Sequence, residues 1–137
     1  MRAILDTNVV VSGILFGGIP RRILESAYKR LFTPVISPEI LREYTEVVER
    51  VSRHYGTPSA MAALETVVSR SDLTRSIAPD RPVCADPKDD MFFTAAVSAG
   101  VDIIVSGDKH LKAASGWSGI LVVSPFLFYE KYVHRTS

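Results

Sequence analysis

Two short apolar runs, each stopping abruptly at polar residues that include an acid, constrain this chain more than any other feature. Ala3-Ile4-Leu5 ends in Asp6-Thr7-Asn8, and Ile103-Ile104-Val105 ends in Ser106-Gly107-Asp108. In open α/β sheets, ligands sit just beyond the carboxyl ends of parallel strands. An acid placed there twice faces a site and not a core, because a buried carboxylate without a partner is costly or takes up a proton. The simplest way to hold such acids together at neutral pH is a divalent cation. The pattern therefore predicts a metal-dependent enzyme.

The rest of the chain fits a parallel sheet. Apolar spacing predicts a helix over 8–15, broken by Gly17-Gly18, with Pro20 opening a second helix that reaches Arg30. Thr33-Pro34-Val35-Ile36 reads as a strand. Ser37-Pro38-Glu39 is a strong helix start, with a capping hydroxyl, Pro in the first turn and an acid behind it. That helix carries Ile40, Leu41, Tyr44, Val47, Val48 and Val51 at helical spacing. Residues 59–70 form another helix, 73–77 a strand, and Pro79 and Pro82 mark a loop. Asp86-Pro87-Lys88-Asp89 opens a helix that Gly100 ends. A strand over 102–105, a short helix after Asp108, a strand over 120–123 and a helix from Pro125 complete the pattern. Strands alternating with helices predict a three-layer α/β/α fold around a central parallel sheet, as a single domain over residues 1–137.

Bulk properties exclude several classes. At 137 residues the chain buries roughly two-thirds of its unfolded surface in one core. No segment approaches the roughly 18 apolar residues needed to span a bilayer, and no signal-peptide pattern precedes Ala3, so a cytoplasmic location is expected. The single Cys84 excludes an internal disulfide and a Cys-based zinc cluster. A net charge of +1, from 16 basic and 15 acidic residues, is not the footprint of broad duplex binding. A local basic rim around an acidic site is compatible with it, and Arg21-Arg22, Lys29-Arg30, Arg50, Arg53 and Lys109-His110-Lys112 are its candidates.

Four acids stand where the fold can gather them: Asp6, Glu43, Asp90 and Asp108. Asp6 and Asp108 follow strands, and Asp90 lies in the first turn of a helix, where a carboxylate is favoured by the helix dipole. Glu43 borders the apolar stripe of its helix, whereas Glu39 and Glu46 read as water-facing. Hard oxygen donors without clustered His or Cys point to Mg2+ or Mn2+, with Asp6, Asp90 and Asp108 as ligands. The fitting chemistry is hydrolysis of a phosphodiester by a metal-activated water. Thr7, Asn8 and Ser106 are placed to orient water or phosphate, and each also fits a turn or cap. His110 reads as a surface or capping residue, Trp117 as packing, and Phe126-Leu127-Phe128-Tyr129 with Tyr132 as core or dimer contact.

The ordered motifs resemble those of the PIN domain family. Asp6-Thr7-Asn8 matches its opening motif, and Ser37-Pro38-Glu39-Ile40-Leu41-Arg42-Glu43-Tyr44 resembles its second acidic segment. Asp86-Pro87-Lys88-Asp89-Asp90-Met91-Phe92 resembles its third, and Val105-Ser106-Gly107-Asp108-Lys109-His110-Leu111 its fourth. The resemblance implies a Mg2+- or Mn2+-dependent ribonuclease, of the kind that serves as the toxin of VapBC-like toxin–antitoxin pairs. It implies an acidic cluster of Asp6, Glu43, Asp90 and Asp108, an RNA substrate, an antitoxin partner and a homodimer. The Asp89-Asp90 doublet leaves the third acid open by one residue; Asp90 is preferred because Thr94-Ala95 then fall where the family packs its helix, and Asp86 is a cap or outer acid. One alternative is an inactive PIN-like module that binds RNA or a partner, against which all four acids stand. Another is a metal-dependent phosphohydrolase with an aspartyl nucleophile, which is disfavoured because Asn8 occupies the place of its second Asp.

Overall fold

The computed structural model describes residues 1–134. Five strands, β1 (Arg2–Leu5), β2 (Thr33–Ile36), β3 (Asp72–Leu73), β4 (Ile103–Val105) and β5 (Leu121–Val123), form one parallel sheet in the order β3-β2-β1-β4-β5. The central strand β1 pairs with β2 at Arg2↔Thr33 and with β4 at Leu5↔Val105. Ala3, Ile4 and Leu5 are fully buried, as both faces of a central parallel strand must be. The chain builds outward from β1 through β2 to β3, then returns to β1's other side for β4 and β5. The order therefore reverses between β1 and β4, which makes their carboxyl ends the place for a ligand crevice.

Helices cover the sheet in three layers. The helices α1 (Thr7–Leu15), α2 (Gly18–Tyr28), α3 (Pro38–Tyr55) and α4 (Ala60–Ser69) pack on one another, while α5 (Asp90–Ala99) lies against β1, β2 and β4. Local chemistry sets their ends. The Ser37 hydroxyl accepts the Ile40 amide at 3.3 Å to start α3, which Gly56 ends in the left-handed conformation that costs other residues energy. Gly100 ends α5 in the same way. Short helices α6 (Lys109–Ala113) and α7 (Pro125–Phe128) follow β4 and β5. Among the described residues, no helix is long and apolar enough to cross a membrane.

Three expectations are refined. The strand expected over 73–77 is only Asp72–Leu73, because β2 ends at Ile36, whose carbonyl accepts the Thr74 amide as the last contact before the chain leaves the edge. The helix expected from Asp86 begins as a 3-10 turn over Pro87–Asp89, with Asp86 accepting the Lys88 amide at 3.0 Å. The last helix is four residues of α-helix followed by a π-helical stretch, Tyr129–Val133. In that segment Phe128 is buried edge-on against Phe32, whereas Phe126 is exposed. Trp117 packs edge-on against Phe93, with ring centres 5.9 Å apart. The single domain expected over 1–137 includes residues 135–137, which lie outside the described ones.

Candidate active site

Asp6 is the first residue beyond β1 and the last before α1. Its amide donates to the Val105 carbonyl at 2.9 Å, so the end of β1 is locked beside the end of β4. The side chain is 6% exposed, and the Ser106 hydroxyl donates to its Oδ2 at 2.7 Å. Ser106 is fully buried, and its oxygen also accepts the Asp108 amide at 2.9 Å. One hydroxyl thus ties the acid after β1 to the turn that carries the acid after β4.

Next to Asp6, the buried Thr7 hydroxyl donates to Glu43 on α3. This contact gives the half-buried Glu43 the partner that its place on the helix demanded. The Tyr44 hydroxyl, fully buried, donates to the Leu5 carbonyl and so fixes α3 to the last residue of β1. Sequence reasoning counted Tyr44 only as part of an apolar stripe. Its hydroxyl, one residue after the motif acid, was the available sign, since a buried Tyr needs a polar partner. Glu39 lies elsewhere, exposed and accepting from Ser76, which holds its carboxyl below the usual range.

The electrostatics show which acids share one field. Burial pushes the Asp6 carboxyl up, and the nearby charges of Asp108 and Glu43 push it further, against the stabilising Ser106 hydroxyl and Thr7 amide. Asp89 is pushed up to about 6, first by burial and then by Asp86, Asp108, Asp6 and Glu43. The charges of Asp108 and Glu43 thus reach both Asp6 and Asp89 at the carboxyl edge of the sheet, and Asp86 is the strongest charged neighbour of Asp89.

Asp90 is placed differently. It too is 6% exposed, but its Oδ1 accepts the Cys84 amide at 2.7 Å and its Oδ2 accepts the Val83 amide at 3.3 Å. The Cys84 thiol, pushed up to about 12 by burial and by Asp90, remains protonated beside it. Of the doublet, Asp89 faces the shared field and Asp90 clasps the preceding loop. Asp108 accepts the His110 amide at 3.0 Å and so caps α6. Asn8 is exposed beside the site, and His110 contributes its backbone to that cap.

The donor set is all hard oxygen, which suits a divalent cation of the Mg2+ or Mn2+ class, and mutual repulsion at Asp6 and Asp89 is the condition such an ion relieves. Among the described residues, no three His, Cys, Asp or Glu side chains converge closely enough to enclose an ion by themselves.

A sheet of this order with acids at its reversal point defines an α/β protein with carboxylates gathered at the carboxyl edge of the sheet. The family model of the PIN domain matches residues 2–110, and the chain belongs to that family. No curated relative matches it. Among solved structures, VapBC2 from Rickettsia felis, bound to a DNA fragment from its promoter, is similar with a TM-score of 0.61 at 16% identity. The match covers 90% of this chain and 98% of that one. PAE2754 from Pyrobaculum aerophilum is similar with a TM-score of 0.62 at 16% identity, covering 99% of this chain and 89% of that one. At these identities the two structures establish the shared fold.

Proposed function

We propose that the protein is a divalent-metal-dependent endoribonuclease and the toxin of a toxin–antitoxin pair. The observation that carries this reading is the gathering of Asp6, Glu43, Asp89 and Asp108 at the reversal point of the sheet, where Asp108 and Glu43 press on both Asp6 and Asp89. Membership of the PIN family supports nuclease chemistry, and the resemblance to VapBC2 supports the toxin role. A homodimer and a small antitoxin protein complete the proposed assembly.

Asp6, Asp108 and Asp89 would hold Mg2+ or Mn2+, while Asp90, the third ligand expected from the sequence, holds the Val83 and Cys84 amides. When bound, the cation supplies positive charge against the charge that develops on a cleaved phosphodiester and lowers the pKa of water. The chain's own groups do the positioning. Ser106 favours the ionised form of Asp6 and orients it by donating its hydroxyl, and Thr7 holds the Glu43 carboxylate. Glu43, held by Thr7 and near enough to Asp6 to act on its charge, is the acid we assign to take a proton from an attacking water. Asn8, exposed at the rim, offers an amide to phosphate.

The deciding experiment measures cleavage of defined RNAs with Mn2+, Mg2+ or chelator, comparing wild type with Asp6→Asn. Cation-dependent cleavage lost in the variant is the expected result. Cleavage that persists in chelator, or in Asp6→Asn, overturns the mechanism. No cleavage by the wild type under any cation favours a binding module on the same fold.

A further inference from the structure

We propose that the groove between α1 and α3 seats an unstacked nucleotide of single-stranded RNA, its base against the Phe16–Tyr55 pair and a phosphate on Arg50. The inference deepens the ribonuclease reading and rests on it.

Both helices begin at the carboxyl edge of the sheet and run away from it side by side. On α1, Asn8 and Ser12 lie one turn apart, and Phe16 follows at its end. On α3, Glu43, Val47, Arg50 and His54 fall on one face at helical spacing. Between them lies a groove of about 510 Å³ that Asn8, Arg50, His54, Phe16 and Tyr55 help to line. Its near end is lined by Asn8, the residue after Thr7, and on α3 it reaches from Val47 to His54, roughly 10 Å at about 1.5 Å of rise per residue. A strand lying in it would therefore lead straight out of the acidic site.

The far end of the groove is aromatic and open. Phe16 and Tyr55 are 60% and 58% exposed, unusual for rings of this size in a compact domain. Their centres are 5.3 Å apart at 84°, and His54 meets Tyr55 edge-on at 4.8 Å and 89°. Edge-on contacts hold the rings in place while leaving a face available. Any base presents a π-face to such a ring, which makes the contact tolerant of sequence.

The charge along the groove matches the same ligand. Among the described residues Arg50 has no carboxylate partner, whereas Arg53 pairs with Glu49 at 3.4 Å. Arg21, a candidate for the basic rim, instead donates to the Gly13 and Ile14 carbonyls at the end of α1. An uncommitted guanidinium beside exposed rings fits phosphate and base together. The floor of the groove is mixed, with Val11, Val47 and Val51 set among Asn8, Ser12, Arg50 and His54, so polar groups lie in reach of a nucleotide's sugar and phosphate all along it.

The test uses a fluorescein-labelled single-stranded RNA of mixed sequence, and the same RNA annealed to its complement, bound by the Asp6→Asn chain in Mg2+. The single strand should bind more tightly than the duplex. Adding Tyr55→Ala or Phe16→Ala should weaken single-strand binding by about tenfold, and Tyr55→Trp should restore it. Arg50→Ala should lower the slope of log affinity against log salt by about one. Single-strand binding unmoved by both alanine variants, with the salt slope unchanged, overturns the proposal and assigns this face to a protein partner. Wild-type cleavage is read in parallel. Cleavage with ring-independent binding sinks the groove alone, ring-dependent binding without cleavage sinks the nuclease reading alone, and absence of both sinks both.

Discussion

Asp6 and Asp90 are equally buried, and their surroundings could hardly differ more. Asp90 receives two backbone amides and a thiol from the loop at Val83 and Cys84, so its charge is answered by its own chain. Asp6 receives the Ser106 hydroxyl and the Thr7 amide, and against these stand burial and the charges of Asp108 and Glu43. A carboxylate satisfied by amides builds structure. One pressed against other carboxylates is held in place by the fold and left short of positive charge. The second arrangement lowers stability, and it persists where a ligand makes up the deficit. The comparison therefore separates, within one site, an acid whose charge its own loop answers from an acid pressed against its neighbours.

The largest effects should divide along that line. Asp6→Asn retains shape and the Ser106 contact but removes a charge, so Mn2+-dependent RNA cleavage should fall by at least about a hundredfold. Its thermal midpoint in chelator should equal or exceed that of the wild type. Asp90→Ala should behave oppositely in the unfolding assay, because it strands two loop amides. Hydrogen bonds to a charged group make the loss about 3 kcal/mol, or about 10 °C in midpoint for a domain of this size. Thermal unfolding in chelator checks both variants together. If Asp90→Ala melts like the wild type while cleavage vanishes, the division between the two aspartates is wrong.

Ser106→Ala sharpens the same comparison from the other side. The Asp108 amide loses its acceptor and Asp6 loses its hydroxyl donor, which should cost about 1–2 kcal/mol in denaturant unfolding. Without that donor the Asp6 carboxyl rises further, so the acid limb of the cleavage pH profile should move to higher pH. An unmoved profile with reduced stability would leave Ser106 as a packing residue only.

How far these roles could be read from the sequence depends on how local their causes are. The starts of α3 and α6 were legible because Ser37 and Asp108 cap their own helices within a few residues. The strand ends at Asp6 and Asp108 were legible because an apolar run that stops at an acid needs no partner to be seen. The short edge strand was not, because Val35 and Ile36 decide where its pairing stops. The division between Asp89 and Asp90 was hidden for a similar reason. Asp90 finds its partners in the Val83 and Cys84 amides of the preceding loop, whose path no local pattern announces. The Phe16–Tyr55 pair joins two helix ends far apart in the chain, so no periodicity announces it.

The smallest predicted effect is the most diagnostic, because it changes sign with conditions. Asp89 is pushed from its ordinary value of 3.8 to about 6 in the fold. Between those values the folded chain binds more protons than the unfolded one, so its stability falls as pH rises through the window and stays lower above it. Asp89→Asn cannot ionise and escapes that loss. At pH 7 in chelator it should be more stable than the wild type, and near pH 4 the two should coincide. The full displacement corresponds to about 3 kcal/mol, but Asp89 is partly solvated and screening reduces the expected gain to about 1 kcal/mol. Saturating Mn2+ should reverse the order, since a cation rewards the ionised carboxylate that Asn lacks. Denaturant unfolding at the two pH values, with chelator and with Mn2+, reads all of this from one pair of proteins. A gain at pH 7 that Mn2+ leaves untouched would make Asp89 a repelled bystander and return the third place in the cluster to Asp90.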